Sequence, residues 1–316
     1  MRRAQVSKLF PAVGLAGVPL AGFAAAAITY VLMASGNPGP LRDEAQLVVF
    51  AGLTAALAGA CVMLAAVATP TAIRAWREAD LSGSGAAAAA VNASLLVIVV
   101  MAVIYVVYRG MLPQTGANAG RLKAAVLAVW AGVYMVPAAT ILRVVTLPTF
   151  GDHPLGAPVT SGEIRDHQTR AARIRGVLAS MSLIVTLATA GTNALLQLLT
   201  AAGPTSITVL RTSAVTVTDA DVNSLAALYG LIYATGLVFA YLPARIAVDG
   251  SARALIDRAH SLPFSNDESF SSIRERREEL QLLLGLEMTG RHSLESTLAI
   301  LAPLVTGLAA PLLNAD

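Results

Sequence analysis

Residue types able to do chemistry are few in this chain, and where they cluster the spacing points away from catalysis. His153 and His167 each follow an aspartate, Asp152 and Asp166. Imidazole beside carboxylate is metal-ligand chemistry, but two Asp-His pairs separated by Pro154 and Pro158 match no ligand spacing, and a solvated helix face accounts for them better. Glu163 with His167, and Asp166 with Arg170, stand four apart, so each pair shares one face of a polar helix starting near Ser161. None of the four histidines, which include His260 and His292, falls in an apolar run. Cys61 is the only cysteine, which excludes intramolecular disulfides and Cys-rich metal sites and leaves it as a small hydrophobe. A Walker loop, a His-Glu-x-x-His pair, a nucleophile elbow and a dinucleotide fingerprint are all missing. The expectation is therefore no enzyme, with no catalytic residue, no cofactor and no metal site.

A second kind of chemistry needs only uncharged polar groups in an apolar setting. Asn193 and Gln197 are one helical turn apart, beside Gly191 and Thr192, and Asn92 lies in another apolar run. Such groups line a pore or hold a small solute or ion; the plainer alternative is hydrogen bonding between helices, worth about 1 kcal/mol. Proton-driven pumping needs ionisable groups at depth, and these runs have none. Uptake of sodium or a neutral solute through broken helices stays open.

The elements that must position these residues are six runs, 9–34, 46–69, 86–108, 124–142, 177–201 and 222–242, which hold not one of the 22 basic and 19 acidic residues. Each is long enough, at 1.5 Å per residue, to cross a hydrocarbon core of about 30 Å. With 56% hydrophobic and 13% charged residues over 316 positions and a mean hydropathy of +0.67, a water-soluble shell is excluded. Helices are the economical way to satisfy the backbone in lipid, and barrel-type alternation is absent. A net charge of +3 without basic runs gives no footprint for nucleic acid.

Orientation follows from Lys and Arg. With the N-terminus inside, the cytoplasmic segments carry most of them, including Arg2, Arg3, Arg74, Arg77, the cluster from Arg165 to Arg175 and the arginines after Arg245; only Arg42, Arg109, Arg121, Lys123 and Arg211 fall outside. The basic start before run 9–34 looks like a secretory signal, but the run is too long for one, so a retained anchor is expected, with Pro11 at a helix start and Pro19 at a kink. Pro70, Pro148 and Pro243 read as helix terminators. Small-residue faces at Gly17 and Ala21, and at Gly52, Ala56 and Ala60, suggest close helix packing. Tyr105, Tyr108, Trp130, Tyr229, Tyr233 and Tyr241 suit interface anchoring or interhelical packing.

Outside the bilayer, Thr205 to Thr218 alternates β-branched and polar residues and reads as a short extracytoplasmic β-hairpin, with Asp219 or Asp221 capping the sixth span. The expected organisation is a six-helix transmembrane domain over 1–243 and a cytoplasmic C-terminal helical region over 244–316. In the latter, Ser265 and Glu268 have capping-box spacing before an amphipathic helix, 266–287, whose Phe270, Ile273, Leu280 and Leu284 suit self-association or a membrane surface. A hydrophobic tail helix, 296–313, is interrupted by Pro303 and Pro311; it leaves a seventh crossing open, a re-entrant or non-spanning segment being preferred. The class is thus an all-α polytopic helical membrane protein. The expected role is a non-enzymatic, self-associating passive pore or membrane assembly platform in a bacterial inner membrane. Its partners would be the lipid bilayer, further copies of itself and a small solute or ion; a secondary transporter for a small neutral or amphiphilic solute is the alternative.

Overall fold

The computed structural model describes residues 2–34, 44–79, 83–111, 117–146, 159–201, 205–209, 213–217, 219–259, 270–285, 301–302 and 305. Asp152, His153, Pro148, His260, His292, the Ser265–Glu268 spacing and nearly all of 296–313 lie outside the described residues.

Among the described residues six helices are long and apolar enough to cross a membrane: α1 (Arg2–Ala34), α2 (Glu44–Glu78), α3 (Gly83–Met111), α4 (Ala117–Val145), α5 (Ser161–Thr200) and α6 (Asp219–Ala259). A shorter helix, α7 (Phe270–Leu284), follows. This is a multi-pass architecture in which every long element is a helix. Between α5 and α6 the backbones of β1 (Thr205–Val209) and β2 (Ser213–Val217) pair antiparallel, with Ile207 opposite Val215.

Helices adjacent in sequence pack as antiparallel hairpins, α1 with α2, α3 with α4 and α5 with α6; α2 also packs against α4 and α5 and holds the hairpins together. The burial pattern follows. On α1 one stripe is inward, Gly22, Ala25, Thr29 and Met33, at the spacing of a single helix face, while Leu20 and Phe23 on the other side are 70% and 74% exposed. An apolar side chain that open to water would oppose folding; facing lipid tails, it is where it belongs. The common core is built from Phe50, Leu57, Tyr108, Leu127, Tyr134, Ile141, Leu195 and Leu196.

The hairpin crossings rest on glycines other than those of the expected small-residue faces. Gly17 and Gly52 have open space where a Cβ would stand, and Ala21 and Ala56 are exposed. The close approach of α1 to α2 is instead at Gly22 and Gly59: a Cβ on Gly59 would lie 3.0 Å from the Gly22 carbonyl oxygen. In α4, a Cβ on Gly132 would lie 2.6 Å from Met101 Sδ of α3.

Two prolines read as terminators do not terminate. α2 runs through Pro70 to Glu78 and α6 through Pro243 to Ala259, and α1 runs through Pro11, which is therefore no helix start. A proline inside a helix costs about 3 kcal/mol. Beyond Pro70, Ala72 and Ala75 are buried, and beyond Pro243 so are Ala244, Val248, Ala252 and Leu255; packing of these continuations offsets the lost hydrogen bond. Likewise Asp219 and Asp221 lie within the first turn of α6 and not ahead of it, where a carboxylate still complements the helix dipole.

α5 and α6 have 40 and 41 residues, about 60 Å each at the helical rise, twice what a hydrocarbon core needs. Only their apolar parts, 177–201 and 222–242, are matched to lipid. The charged N-terminal part of α5 and C-terminal part of α6 extend together beyond it, and α7 packs on this extension.

Candidate functional site

Two polar assemblies stand out, one among the apolar spans and one on the α5–α6 extension. The first centres on Thr192 of α5. Its hydroxyl donates to the Ala188 carbonyl of its own helix at 2.8 Å and lies 3.5 Å from the Tyr108 hydroxyl of α3 and 3.4 Å from the Tyr233 hydroxyl of α6. Tyr108 Oη also reaches the Ala188 carbonyl at 3.5 Å. Gly191 makes room for this: a Cβ there would be 3.5 Å from Tyr108 Oη and 3.8 Å from Thr54 Cγ2 of α2. Hydroxyls of three helices, α3, α5 and α6, thus meet beside the methyl of Thr54 of α2, whose own hydroxyl turns back on the Phe50 and Ala51 carbonyls; Tyr108, Thr54 and Thr192 are fully or almost fully buried. In a medium without water such groups must find partners inside the protein. Tyr134 of α4 does the same with the Val177 carbonyl of α5 at 3.3 Å, and isolated threonines such as Thr29 and Thr69 turn back on the carbonyl four residues earlier.

Asn193 and Gln197 follow Thr192 on the same helix. Asn193 is half-buried, with its Oδ1 enclosed and without a hydrogen-bond partner among the described residues. Gln197 is half-buried in the last turn of α5, its carbonyl accepting from the Ala201 amide at 2.9 Å. Asn92 is not brought to them. It sits sixteen positions before Tyr108 on α3, about 24 Å along the axis, is exposed, and donates to the Ala88 carbonyl at 3.0 Å. The sequence marked Gly191, Thr192 and Asn193 but gave no sign that Tyr108 and Tyr233 converge on Thr192. Tyrosine in an apolar helix reads equally as anchor or packing residue, and only the helix pairing decides.

The second assembly joins α5, α6 and α7. Thr160 and Glu163 form a capping box at the start of α5, the Glu163 carboxylate accepting from the Thr160 amide at 2.8 Å and Thr160 Oγ1 from the Glu163 amide at 3.3 Å. Arg258 of α6 also meets the Glu163 carboxylate. Arg258, and then the Thr160 amide, hold the Glu163 carboxyl well below the usual range, at about 2. One turn on, His167 is buried, with Nδ1 3.2 Å from Ser251 Oγ of α6 and Nε2 3.1 Å from the Leu284 carbonyl of α7. A carbonyl only accepts, so Nε2 carries the proton in that bond. Burial lowers the His167 pKa, although its bond to Leu284 works in the other direction. Gln168 Nε2 donates to the Leu283 carbonyl at 3.0 Å. Two side chains of α5 thereby satisfy carbonyls at the C-terminus of α7, which no intrahelical amide reaches. Leu280 and Leu284 pack with Ala252, Leu255 and Ile256 of α6 and Ile164 of α5, and Arg277 pairs with Asp257. The expected self-association residues Leu280 and Leu284 are thus engaged within the chain; Leu282 and Leu283 are the exposed ones. Of Phe270 and Ile273 only the helical backbone is described.

Two of the five basic residues expected outside, Lys123 and Arg109, have local uses. Lys123 Nζ donates to the Met33 carbonyl at 3.3 Å, in the last turn of α1, where a cation complements the dipole. Arg109 lies over the Tyr105 ring at 5.9 Å. Among the described residues no group of histidine, cysteine and acidic side chains is arranged to hold a metal ion.

In comparisons of the whole chain with known proteins, no family model matches it, and no curated protein and no solved structure is significantly similar to it.

Proposed function

We propose that the chain is a non-enzymatic, self-associating assembly platform of a bacterial inner membrane, with its N-terminus and the α5–α6 extension on the cytoplasmic side. The observation that carries this reading is the continuity of α5 and α6 from the apolar spans into an extension on which α7 is fixed by side-chain caps, an ion pair and an apolar patch. Such a construction holds the outer face of α7, with Leu282 and Leu283 more than half exposed, at a set position relative to the membrane. The arginine distribution supports the cytoplasmic assignment, and β1 and β2 then fall on the extracytoplasmic side. A pore inside one copy is disfavoured because the centre is filled by Tyr108, Leu127, Tyr134 and Leu196; conduction would need a path between copies. The test is the mass of the full chain in nanodiscs, alone and with Leu282→Glu and Leu283→Glu together. The reading expects an oligomer that the double variant reduces; a monomeric wild type would refute it.

A second reading, a secondary transporter for a small neutral or amphiphilic solute, has one observation in its favour. Asn193 Oδ1 is an enclosed acceptor without a donor among the described residues, one position along α5 from Thr192. Saturable uptake into proteoliposomes, lost in Asn193→Leu, would favour it over the platform.

A further inference from the structure

At the end of the bundle that bears the α5–α6 extension, the second half of α2, the first half of α3 and the second half of α4 enclose an open groove of about 650 Å³. Its walls are Ile73, Val97, Ile98 and Val136, and its floor is left low by Ala72, Ala93 and Pro137. Thr69 and Thr140 at its edge direct their hydroxyls to carbonyls of their own helices, at 2.7 and 2.8 Å, so the groove presents hydrocarbon along most of its length. At one end stand Trp76 and Arg77.

The cation at that end is the informative feature. Arg77 and its neighbour Arg74 are exposed and have no ion-pair partner among the described residues. Arg143 of α4 has its Nε enclosed and without a hydrogen-bond partner among the described residues. The adjacent carboxylate, Glu78, is taken by Arg173 of α5 at 2.7 Å. Of the other arginines at this end, Arg245, Arg258 and Arg277 have an acidic partner, and the exposed Arg165, Arg175 and Arg253 do not line the groove. An apolar furrow that opens sideways among lipid-facing side chains and ends at an unmatched guanidinium is complementary to an amphiphile with a hydrocarbon tail and an anionic head. Guanidinium binds phosphate oxygens in a bidentate manner, tryptophan settles at headgroup level, and basic pockets between spans on the cytoplasmic side hold anionic headgroups.

We propose that this α2–α3–α4 groove is a binding site for an anionic phospholipid, with an acyl chain along Ile73, Val97, Ile98 and Val136 and the phosphodiester at Arg77. The site is independent of whether the chain acts as platform or transporter.

The test is native mass spectrometry of the full chain in detergent, titrated with phosphatidylglycerol or phosphatidylcholine of identical acyl chains. The wild type is expected to retain the anionic lipid about fivefold more than the zwitterionic one, the ratio set by one cation at a membrane surface. Arg77→Gln should bring that ratio to about 1, and Ile98→Trp, which crowds the groove from an exposed position, should lower retention of both lipids. Both variants alter exposed side chains, and an unchanged circular dichroism spectrum will establish that they fold. Equal retention of the two lipids by the wild type would overturn the proposal, as would an unchanged preference in Arg77→Gln. Displacement of the lipid by millimolar inorganic phosphate would show a headgroup site without a role for the groove, and so overturn it too. A photo-crosslinker at Ile98 should capture lipid; capture of residues 296–313 or of a second copy would assign the groove to protein instead.

Discussion

Hydrogen atoms decide the packing at the α1–α2 crossing. Gly59 faces the Gly22 carbonyl so closely that a methyl group would stand 3.0 Å from its oxygen, and a backbone atom cannot swing aside as the Met63 side chain opposite Gly22 can. Gly59→Leu is therefore expected to separate the two helices and cost about 1–3 kcal/mol, read as a fall in the melting temperature in detergent. Gly52→Ala on the same helix, with nothing within 4 Å, should leave it unchanged or raise it slightly, since alanine is the better helix former. Thr192→Val removes the hydroxyl shared by Tyr108 and Tyr233 at almost constant volume. Because interhelical hydrogen bonds in membranes average less than 1 kcal/mol, the expected loss is about that size, smaller than at Gly59. A larger loss would mean that Tyr233 Oη is left without another acceptor, since the Ala188 carbonyl stays within 3.5 Å of Tyr108 Oη. The sequence made Gly17 and Gly52 visible as a small-residue pattern but not Gly59, because in an alanine-rich chain many faces have that pattern and only the crossing point selects one.

At the scale of an element, the placement of α7 depends on His167. Its ring is buried with Nε2 donating to the Leu284 carbonyl, and burial holds its pKa below the ordinary 6.5. Facing it are Ser251 and Asp249 on α6, Arg170 on its own helix and Arg245 on α6. A histidine whose pKa is lower folded than unfolded favours the folded form while neutral. The stability it lends is complete above pH 6.5 and declines as pH falls from 6.5 through the folded value. Amide exchange along 270–284, corrected for intrinsic rate, should therefore accelerate on going from pH 7.5 to 5.5. In His167→Gln, which keeps a donor but cannot titrate, that pH dependence should be lost. Glu163 acts with the same sign at lower pH: its carboxyl, held near 2 by Arg258 and the Thr160 amide, stabilises above about 4.5 and ceases to do so as pH falls toward 2. Both effects were half legible. The four-residue spacing put Glu163 and His167 on one face, and the α7 periodicity marked Leu280 and Leu284 as an apolar seam. A heptad-like seam has the same appearance whether it meets a second copy or its own chain, so the partner helices could not be read from it.

For the whole molecule, the absence of charge from six runs determines the solvent, and that part of the architecture was readable directly: each run falls on one of the long helices, Ala201 alone lying just past the end of α5. What the runs do not reveal is where helices end, because helix ends outside lipid depend on long-range packing and capping. Hence α5 begins at the Thr160–Glu163 box and α6 continues past Pro243 until Ala259. A single labelling series tests the resulting seating. Cys61 is wholly buried and the only cysteine, so a membrane-impermeant maleimide should leave the native chain unmodified and report only introduced thiols. Phe239→Cys and Leu20→Cys, at side chains 75% and 70% exposed within the apolar spans, should resist labelling until detergent replaces lipid. Arg74→Cys and Arg253→Cys, exposed at the end that carries the α5–α6 extension, should react together and only after the cytoplasmic side is opened, whereas Arg121→Cys should react in intact cells. Reaction of Phe239→Cys in intact membranes would place water where hydrocarbon is required. Opposite behaviour of Arg74→Cys and Arg253→Cys would contradict the Arg173–Glu78 pair, because that 2.7 Å bridge ties α2 and α5 at one end and the extension shares that end.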